Sequence, residues 1–244
     1  MEKLNVPKPV ETPISSHLAK GVKPIVVCVE KEADWQGALS FDLEPVLNID
    51  NVENVDWYAE PSVLKSKGFL NAGKDTYVIS TIGDANKFSE RFSRCLGLVA
   101  VGKDKVTGKN ISFLSHQDPL KILSKNKDEF IKDLEQRLVE LKSKCEPGTI
   151  DSVIIGGTYY QSDDFNDVEN RYVSSIKLLG EEVKINLGFE PNIINGPKTS
   201  NYEELDRIFY DNTNRRLYFV RPKINTDTRD FVASEVDKQK DKWT

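Results

Sequence analysis

The sequence predicts a single α/β (α+β) domain, a central β-sandwich of mainly antiparallel strands with flanking helices. Short runs of β-branched residues recur along the chain, and two segments have helical periodicity. One pair of strand-like runs is joined by turn residues, as in a β-hairpin. Hairpins imply antiparallel pairing, which favours a sandwich over a doubly wound sheet. We place the domain at residues 24–225, between a polar N-terminal leader (1–23) and a charged C-terminal tail (226–244).

The predicted strands are short apolar runs bounded by glycine, proline and other turn residues. In chain order they cover residues 24–29, 76–81, 95–102, 110–116, 152–155, 182–187, 206–210 and 215–221, and residues 36–74 are expected to be irregular with short strands. The sequence KDKVTG at residues 103–108 is the predicted hairpin turn. A second turn, at residues 211–214, joins the last two strands.

Two helices are predicted from their apolar spacing. The first covers about residues 126–144, with Asp128 and Glu129 in its first turn and Pro147-Gly148 after its end. The second covers roughly residues 166–179 and is expected to stop at Gly180.

Composition excludes several classes of protein. The 244 residues are 38% hydrophobic and carry a net charge of −5, which disfavours non-specific binding to nucleic acid. No apolar run approaches the ~20 residues of a membrane helix, and the N-terminus lacks the apolar centre of a Sec signal. We therefore expect a protein of the cytoplasm, or one delivered to a host cytosol without a cleaved signal peptide.

Three cysteines without a CxxC pair predict neither a zinc site nor a disulfide framework. We expect no metal and no cofactor. A cysteine inside an apolar strand is most simply a buried structural thiol, as expected for Cys28, whereas Cys145 at a helix end is expected at the surface.

Cys95 and His116 are the one plausible nucleophile–base pair in the sequence, because the only other histidine is His17. If residues 103–108 form the hairpin loop, Cys95 lies directly opposite His116, with Cβ atoms roughly 4.5–5.5 Å apart. A register change of one residue would put the two side chains on opposite faces of the sheet. An imidazole at that distance can take the thiol proton and leave a nucleophilic thiolate.

A histidine base usually needs a partner for its second ring nitrogen. The candidates, which the sequence leaves open, are Asp118, Gln117, Thr81, Ser80 and Ser89. Backbone N–H groups around Cys95 are expected to hold the oxyanion of a tetrahedral intermediate.

The order of these parts resembles the Cys–His protein glutamine deamidases, the superfamily of CheD, the cytotoxic necrotizing factor catalytic domain and Burkholderia lethal factor. That pattern begins with a strand that starts with Cys, followed by a turn and a strand that ends in His. A long helix and a strand that ends in Gly-Gly come next. The Leu-Ser-Gly-Cys motif of the toxin members is similar to Phe92-Ser93-Arg94-Cys95, which keeps Ser and Cys and departs at the other two positions. The supporting hydroxyl six residues before the cysteine matches Ser89.

A second resemblance is to the protein N-terminal asparagine amidohydrolases. Their strand–turn, His-x-Asp and Gly-Gly elements are similar to residues 79–83, to His116-Gln117-Asp118 and to Gly156-Gly157 followed by Asp163-Asp164. Both resemblances imply hydrolysis of a side-chain carboxamide of a protein. They imply Cys95 as nucleophile, His116 as base and acid, Ser89 or Thr81 as orienting residue, and Ser93, Arg94 and Asp118 beside the substrate.

The sequence therefore predicts a cysteine-dependent amidohydrolase acting on a Gln or Asn of a protein substrate. The rivals are a non-catalytic interaction module on the same fold, which Arg94 favours, an N-terminal asparagine amidohydrolase, and a thiol protease or transglutaminase-like enzyme. The identity of the substrate and the oligomeric state are left open.

Overall fold

A computed structural model describes residues 17–29, 52–55, 70–73, 77–89, 92, 95–125, 127–156, 166–194 and 207–220. Within these residues the chain has mixed α and β structure. The strands are β1 (Val26–Val29), β2 (Val52–Val55), β3 (Leu70–Gly73), β4 (Tyr77–Ile79), β5 (Asn86–Ser89), β6 (Leu96–Lys103), β7 (Asn110–Gln117), β8 (Asp151–Gly156), β9 (Asn192–Ile194), β10 (Arg207–Asp211) and β11 (Arg216–Val220). The helices are α1 (Pro119–Lys125), α2 (Lys127–Lys144) and α3 (Asn166–Leu187).

The strands form two sheets that are mostly antiparallel. The first sheet has five strands in the order β1-β11-β10-β5-β2, and the second has six in the order β3-β4-β7-β6-β8-β9. Three pairs are parallel: β1 with β11, β2 with β5, and β8 with β9. The β6–β7 hairpin lies at the centre of the second sheet, so its residues are largely removed from water.

Two clusters of buried side chains cover the two faces of the six-stranded sheet. One cluster draws from both sheets and includes Val78, Val99, Leu114, Val153, Ile208, Tyr210 and Leu217. The other joins the opposite face of the sheet to the helices and includes Leu98, Phe113, Ile154, Phe130, Leu134, Leu138, Leu179 and Val183. A strand buried on both faces has no polar alternation, which explains the continuous apolar sequence of β6.

Most of the predicted elements in the described part of the chain are confirmed within a few residues, and α2 matches its predicted bounds closely. The predicted strand at residues 182–187 is wrong, because the second helix continues through Gly180 to Leu187. Leu179 and Val183, four residues apart, are both buried on the same helix face. Packing of this face against the sheet outweighs the roughly 1 kcal/mol that a helical glycine costs.

No separate signal in the sequence marks α1, β5 or β9. These elements are short, and β5 has the sequence NKFS with one apolar residue. Within the described helices, none is long and apolar enough to cross a membrane. The predicted charged tail (226–244) lies outside the described residues, as does the leader before residue 17.

Candidate active site

The β6–β7 hairpin fixes the relative positions of Cys95 and His116. Its strands pair Leu96 with Gln117 and Lys103 with Asn110. The loop therefore covers residues 104–109, one position later than predicted, although its length of six residues is the same. The Asp104 carboxylate sets this turn by accepting hydrogen bonds from Thr107 N at 2.7 Å and Val106 N at 3.1 Å. Cys95 is thus not directly opposite His116, and that prediction is wrong by two residues.

The two-residue difference keeps Cys95 and His116 on the same face of the sheet, because the side-chain period of a strand is two. Cys95, at the N-terminal end of β6, belongs to the buried cluster shared by the two sheets, together with Val99. His116 lies two residues after Leu114, a member of the same cluster, and therefore on the same face of β7. It pairs with Val78 on β4, which also belongs to the cluster. Extending the register by one residue makes Cys95 and His116 diagonal neighbours, a relationship in which Cα atoms are about 7–8 Å apart.

Ser89 reaches His116 from the other sheet. Its Oγ lies 2.8 Å from His116 Nδ1, and the contact is buried. Ser89 is the last residue of β5, so this hydrogen bond joins the five-stranded sheet to the six-stranded one. Among the five candidates for the orienting residue, the structure places Ser89 in this position.

The remaining candidates make other contacts. Ser80 Oγ accepts a hydrogen bond from Leu114 N at 3.0 Å and donates to Thr81 O at 3.2 Å. Thr81 lies three residues beyond Val78, the partner of His116, and follows the end of β4.

Two candidates next to His116 in sequence also face elsewhere. Asp118 caps α1, because its Oδ1 accepts a hydrogen bond from Leu120 N at 2.8 Å. Its Oδ2 lies 3.8 Å from Lys121 Nζ. Gln117 is buried on the opposite face of β7, paired with Leu96. Neither side chain is in a position to hold the second nitrogen of the ring.

Phe92 is a neighbour of the pair that the sequence did not single out. Its ring centroid is 4.7 Å from that of His116, and its carbonyl accepts a hydrogen bond from Cys95 N at 2.6 Å. A Cβ atom at Gly97 would lie 2.7 Å from Phe92 Cζ, so a larger residue at Gly97 would displace the ring. Phe92 thus packs over Gly97 and against the imidazole. The available signal was its place in the Phe92-Ser93-Arg94-Cys95 motif, where the toxin deamidases also have an apolar residue.

The site is deeply buried. His116 is 0% exposed and Cys95 is 7% exposed. Burial lowers the pKa of His116 from 6.5 to about 3, because the protein interior disfavours the charged imidazolium. The imidazole is therefore neutral at physiological pH, and in this buried state it is a weaker base than a free histidine, because burial opposes its protonation.

Cys145 differs from the surface thiol that was predicted. It is 2% exposed, and a Cβ at Gly102 would lie 2.8 Å from Cys145 Cβ. Burial raises the pKa of the Cys145 thiol to about 12. Cys145 is thus an inert core residue, and the prediction was wrong because the residue after α2 turns inward to a bridge with Asp104.

Several predicted site residues lie outside the described residues. These are Ser93 and Arg94 before Cys95, and Gly157, Asp163 and Asp164 after β8. Among the residues that are described, no group of three or more His, Cys, Asp or Glu side chains is arranged to hold a metal ion.

Comparison of the sequence with protein-family models and with curated proteins finds no match.

Proposed function

We propose that this chain is a cysteine-dependent amidohydrolase that converts a Gln or Asn carboxamide of a protein substrate to the acid. The proposal extends to the fold: a β-sandwich with helices on one side, of the kind found in the Cys–His deamidases. The observation that supports it most strongly is the 2.8 Å contact of Ser89 Oγ with His116 Nδ1. A base held at one ring nitrogen presents the other nitrogen in a fixed direction.

The proposed reaction begins with a neutral thiol and a neutral imidazole. The proposed tautomer has Nδ1–H donating to Ser89 Oγ, which leaves Nε2 as the basic nitrogen of His116. As the sulfur of Cys95 attacks the carboxamide carbon, its proton passes to Nε2. Because burial disfavours a resting imidazolium, the proton moves together with the attack and not before it.

The second half of the reaction returns the enzyme to its starting form. The imidazolium gives its proton to the carboxamide nitrogen, the C–N bond breaks, and ammonia leaves a thioester on Cys95. Water then adds to the thioester with His116 as base, and the C–S bond breaks to give the carboxylate and the free thiol. The net reaction consumes one water and needs no oxidant, reductant or cofactor.

The oxyanion of this reaction needs donors other than the N–H of Cys95. That group already donates to Phe92 O at 2.6 Å. The expectation that backbone N–H groups around Cys95 hold the oxyanion therefore falls on groups other than Cys95 N. Removal of one hydrogen-bond donor to an oxyanion typically lowers kcat by 10²–10³-fold, so the proposed reaction depends strongly on such a donor.

The proposed substrate is a protein that presents its carboxamide on an exposed loop or terminus, as in the families that the sequence resembles. The proposal includes neither nucleic acid nor membrane as a partner, in keeping with the net charge of −5. It places the chain in a cytosol, its own or that of a host cell.

A non-catalytic interaction module is the second candidate. The near-complete burial of Cys95 and His116 favours it, since a working nucleophile must meet its substrate. In that case the Ser89–His116 contact is a structural link between the sheets, and the loss of Ser89 or His116 would affect stability alone.

The products of the reaction distinguish these possibilities. We would incubate the wild-type chain and Cys95→Ser with Gln peptides, Asn peptides and peptides that begin with Asn, and measure ammonia by a coupled enzymatic assay. Ammonia release by the wild type and not by Cys95→Ser supports deamidation, and the preferred peptide identifies the class. Peptide cleavage without ammonia would instead indicate a protease, and amine incorporation a transglutaminase-like enzyme. A wild type that releases no ammonia, and forms no acid-stable thioester with any peptide, would contradict the proposal.

A further inference from the structure

A concave site lies at the hairpin end of the six-stranded sheet. It is a cleft of about 580 Å³, a volume within the usual range for sites of small organic ligands. Lys103 at the end of β6 and Asn110 at the start of β7 line it. Cys95 and His116 are at the other end of these strands, about 26 Å from Lys103 along β6 and about 20 Å from Asn110 along β7. The cleft is therefore separate from the proposed active site.

The lining of this cleft is basic in a chain that is acidic overall. Four cationic side chains line it, with a single carboxylate, whereas the whole chain has a net charge of −5. The cations are Lys20, Lys23, Lys103 and Arg215, and the carboxylate is Glu146. Lys103 Nζ lies 3.3 Å from Glu146 Oε2, so the charge of Lys103 is balanced by that carboxylate. No carboxylate of the described residues pairs with Lys20 or Lys23, which stand exposed at the rim.

Arg215 makes the floor of the cleft rigid. Its guanidinium donates to Lys23 O and Thr149 O at 3.0 Å each, and to Asn110 Oδ1 at 3.1 Å. These three bonds join the segment before β1, the segment before β8 and the start of β7. The backbone of Arg215 has φ 54, a left-handed conformation that non-glycine residues rarely adopt. Such strain persists only where surrounding contacts enforce it.

The rigid floor also fixes the position of the rim. Because Arg215 binds the carbonyl of Lys23, and Ala19 N donates to Gly148 O at 2.7 Å, the short segment that carries both lysines is held at two points. A concave surface with two uncompensated ammonium groups on a fixed segment attracts negative charge. The volume of the cleft is much larger than a single inorganic ion needs, which favours an organic or extended anion.

We propose that this cleft binds a small polyanion, with Lys20 and Lys23 as its main charge partners and Glu146 as the group that limits its affinity. Phosphate and carboxylate groups both supply the required charge. The inference does not depend on the proposed amidohydrolase activity, since the cleft and the Cys95–His116 site lie at opposite ends of the β6–β7 hairpin.

The experiment is isothermal titration of the full chain with sodium tripolyphosphate and, separately, with citrate, in HEPES buffer at low salt. We expect saturable binding of at least one of the two, with affinity that falls as NaCl is raised from 50 to 200 mM because salt screens exposed charges. The anion that binds more tightly identifies the acidic group. The double variant Lys20→Gln/Lys23→Gln should lose roughly tenfold or more in affinity, as expected when two charge-assisted contacts are removed.

Two further variants make the result specific. Lys132→Gln/Lys177→Gln removes the same charge from exposed positions on α2 and α3 and should change the affinity less than about twofold. Glu146→Gln removes the one carboxylate of the cleft and should raise the affinity several-fold, a gain that loss of folding does not produce. Absence of binding by both anions, equal losses in the two double variants, or an unchanged affinity in Glu146→Gln would overturn the proposal.

Discussion

Ser89 and His116 belong to different sheets, and their side chains meet at 2.8 Å between Oγ and Nδ1 in the buried interior. The cluster that the two sheets share is made mainly of aliphatic and aromatic side chains, and other polar contacts between the sheets lie at the hairpin end, where Arg215 donates to Asn110 Oδ1. A buried hydrogen bond of this kind fixes both the orientation of the ring and the relative position of the two sheets. It therefore has consequences for both stability and reactivity.

Replacing Ser89 by Ala should reduce both properties. The variant leaves a buried ring nitrogen without its hydroxyl partner, which we expect to cost about 1–3 kcal/mol of unfolding free energy. Ammonia release should fall by roughly ten- to a hundredfold because the base loses its orientation.

Ser115→Ala is the matched control for this experiment. Ser115, on β7, is fully buried like Ser89. Its Oγ, however, accepts a hydrogen bond from Leu98 N at 2.9 Å. Its loss should lower stability by a similar amount and leave the rate per folded molecule near that of the wild type. Urea unfolding and the ammonia assay measure the two effects. Equal losses of activity in both variants would show that Ser89 has no specific role.

The depressed pKa of His116 predicts a pH dependence of stability. The unfolded chain protonates this side chain below its ordinary pKa of 6.5, whereas the native chain does so only near pH 3. Between these values the unfolded state binds more protons, so stability is lost as the pH falls. Removing the group should therefore flatten the profile.

Between pH 7 and pH 4.5, the free energy of unfolding of His116→Asn should fall by roughly 2.5 kcal/mol less than that of the wild type. Urea titrations at the two pH values give the comparison. Both proteins share all other titrating groups, so the difference isolates His116. Parallel pH profiles would mean that the imidazole is not buried as a neutral group.

Gly102 should be intolerant of a side chain. An added Cβ would lie 2.8 Å from Cys145 Cβ and 2.9 Å from Ile150 Cγ1. We expect Gly102→Ala to cost about 1–3 kcal/mol by overpacking. Gly83→Ala is the control, because its Cβ meets nothing within 4 Å. Adding Cys145→Ala to Gly102→Ala should recover part of the loss, and a double variant that is strictly additive would contradict the contact.

The sequence predicted the central part of the fold well because that part is periodic. The apolar runs of β6 and β8 and the helical spacing of α2 mark their own boundaries. The end of α3 was missed since Gly180 ends a helix by local preference, while burial of Val183 continues it. Tertiary packing of that kind has no signature within a short window of sequence.

The candidate site shows the same limit. Cys95 and His116 could be placed on one face from the length of the hairpin loop, but their diagonal offset depends on where Asp104 starts the turn. The contact between Ser89 and His116 depends on how the two sheets meet, and β5 itself was not predicted. The sequence left Ser89 as one of five candidates, and the resemblance to the deamidases was what favoured it, through the hydroxyl six residues before the cysteine. Phe92 was missed because its role depends on the absence of a side chain at Gly97.

The central claim is that His116 activates Cys95, and the most direct test is the rate at which iodoacetamide modifies each cysteine at pH 7.5, measured by peptide mass spectrometry. Cys95 should react faster than Cys145, whose buried thiol has its pKa raised to about 12. His116→Asn should slow the modification of Cys95 by roughly tenfold or more without changing that of Cys145, because the base that accepts the thiol proton is lost. If folded His116→Asn modifies Cys95 at the wild-type rate, or if Cys95 reacts no faster than Cys145 in the wild type, the two residues do not form a nucleophile–base pair.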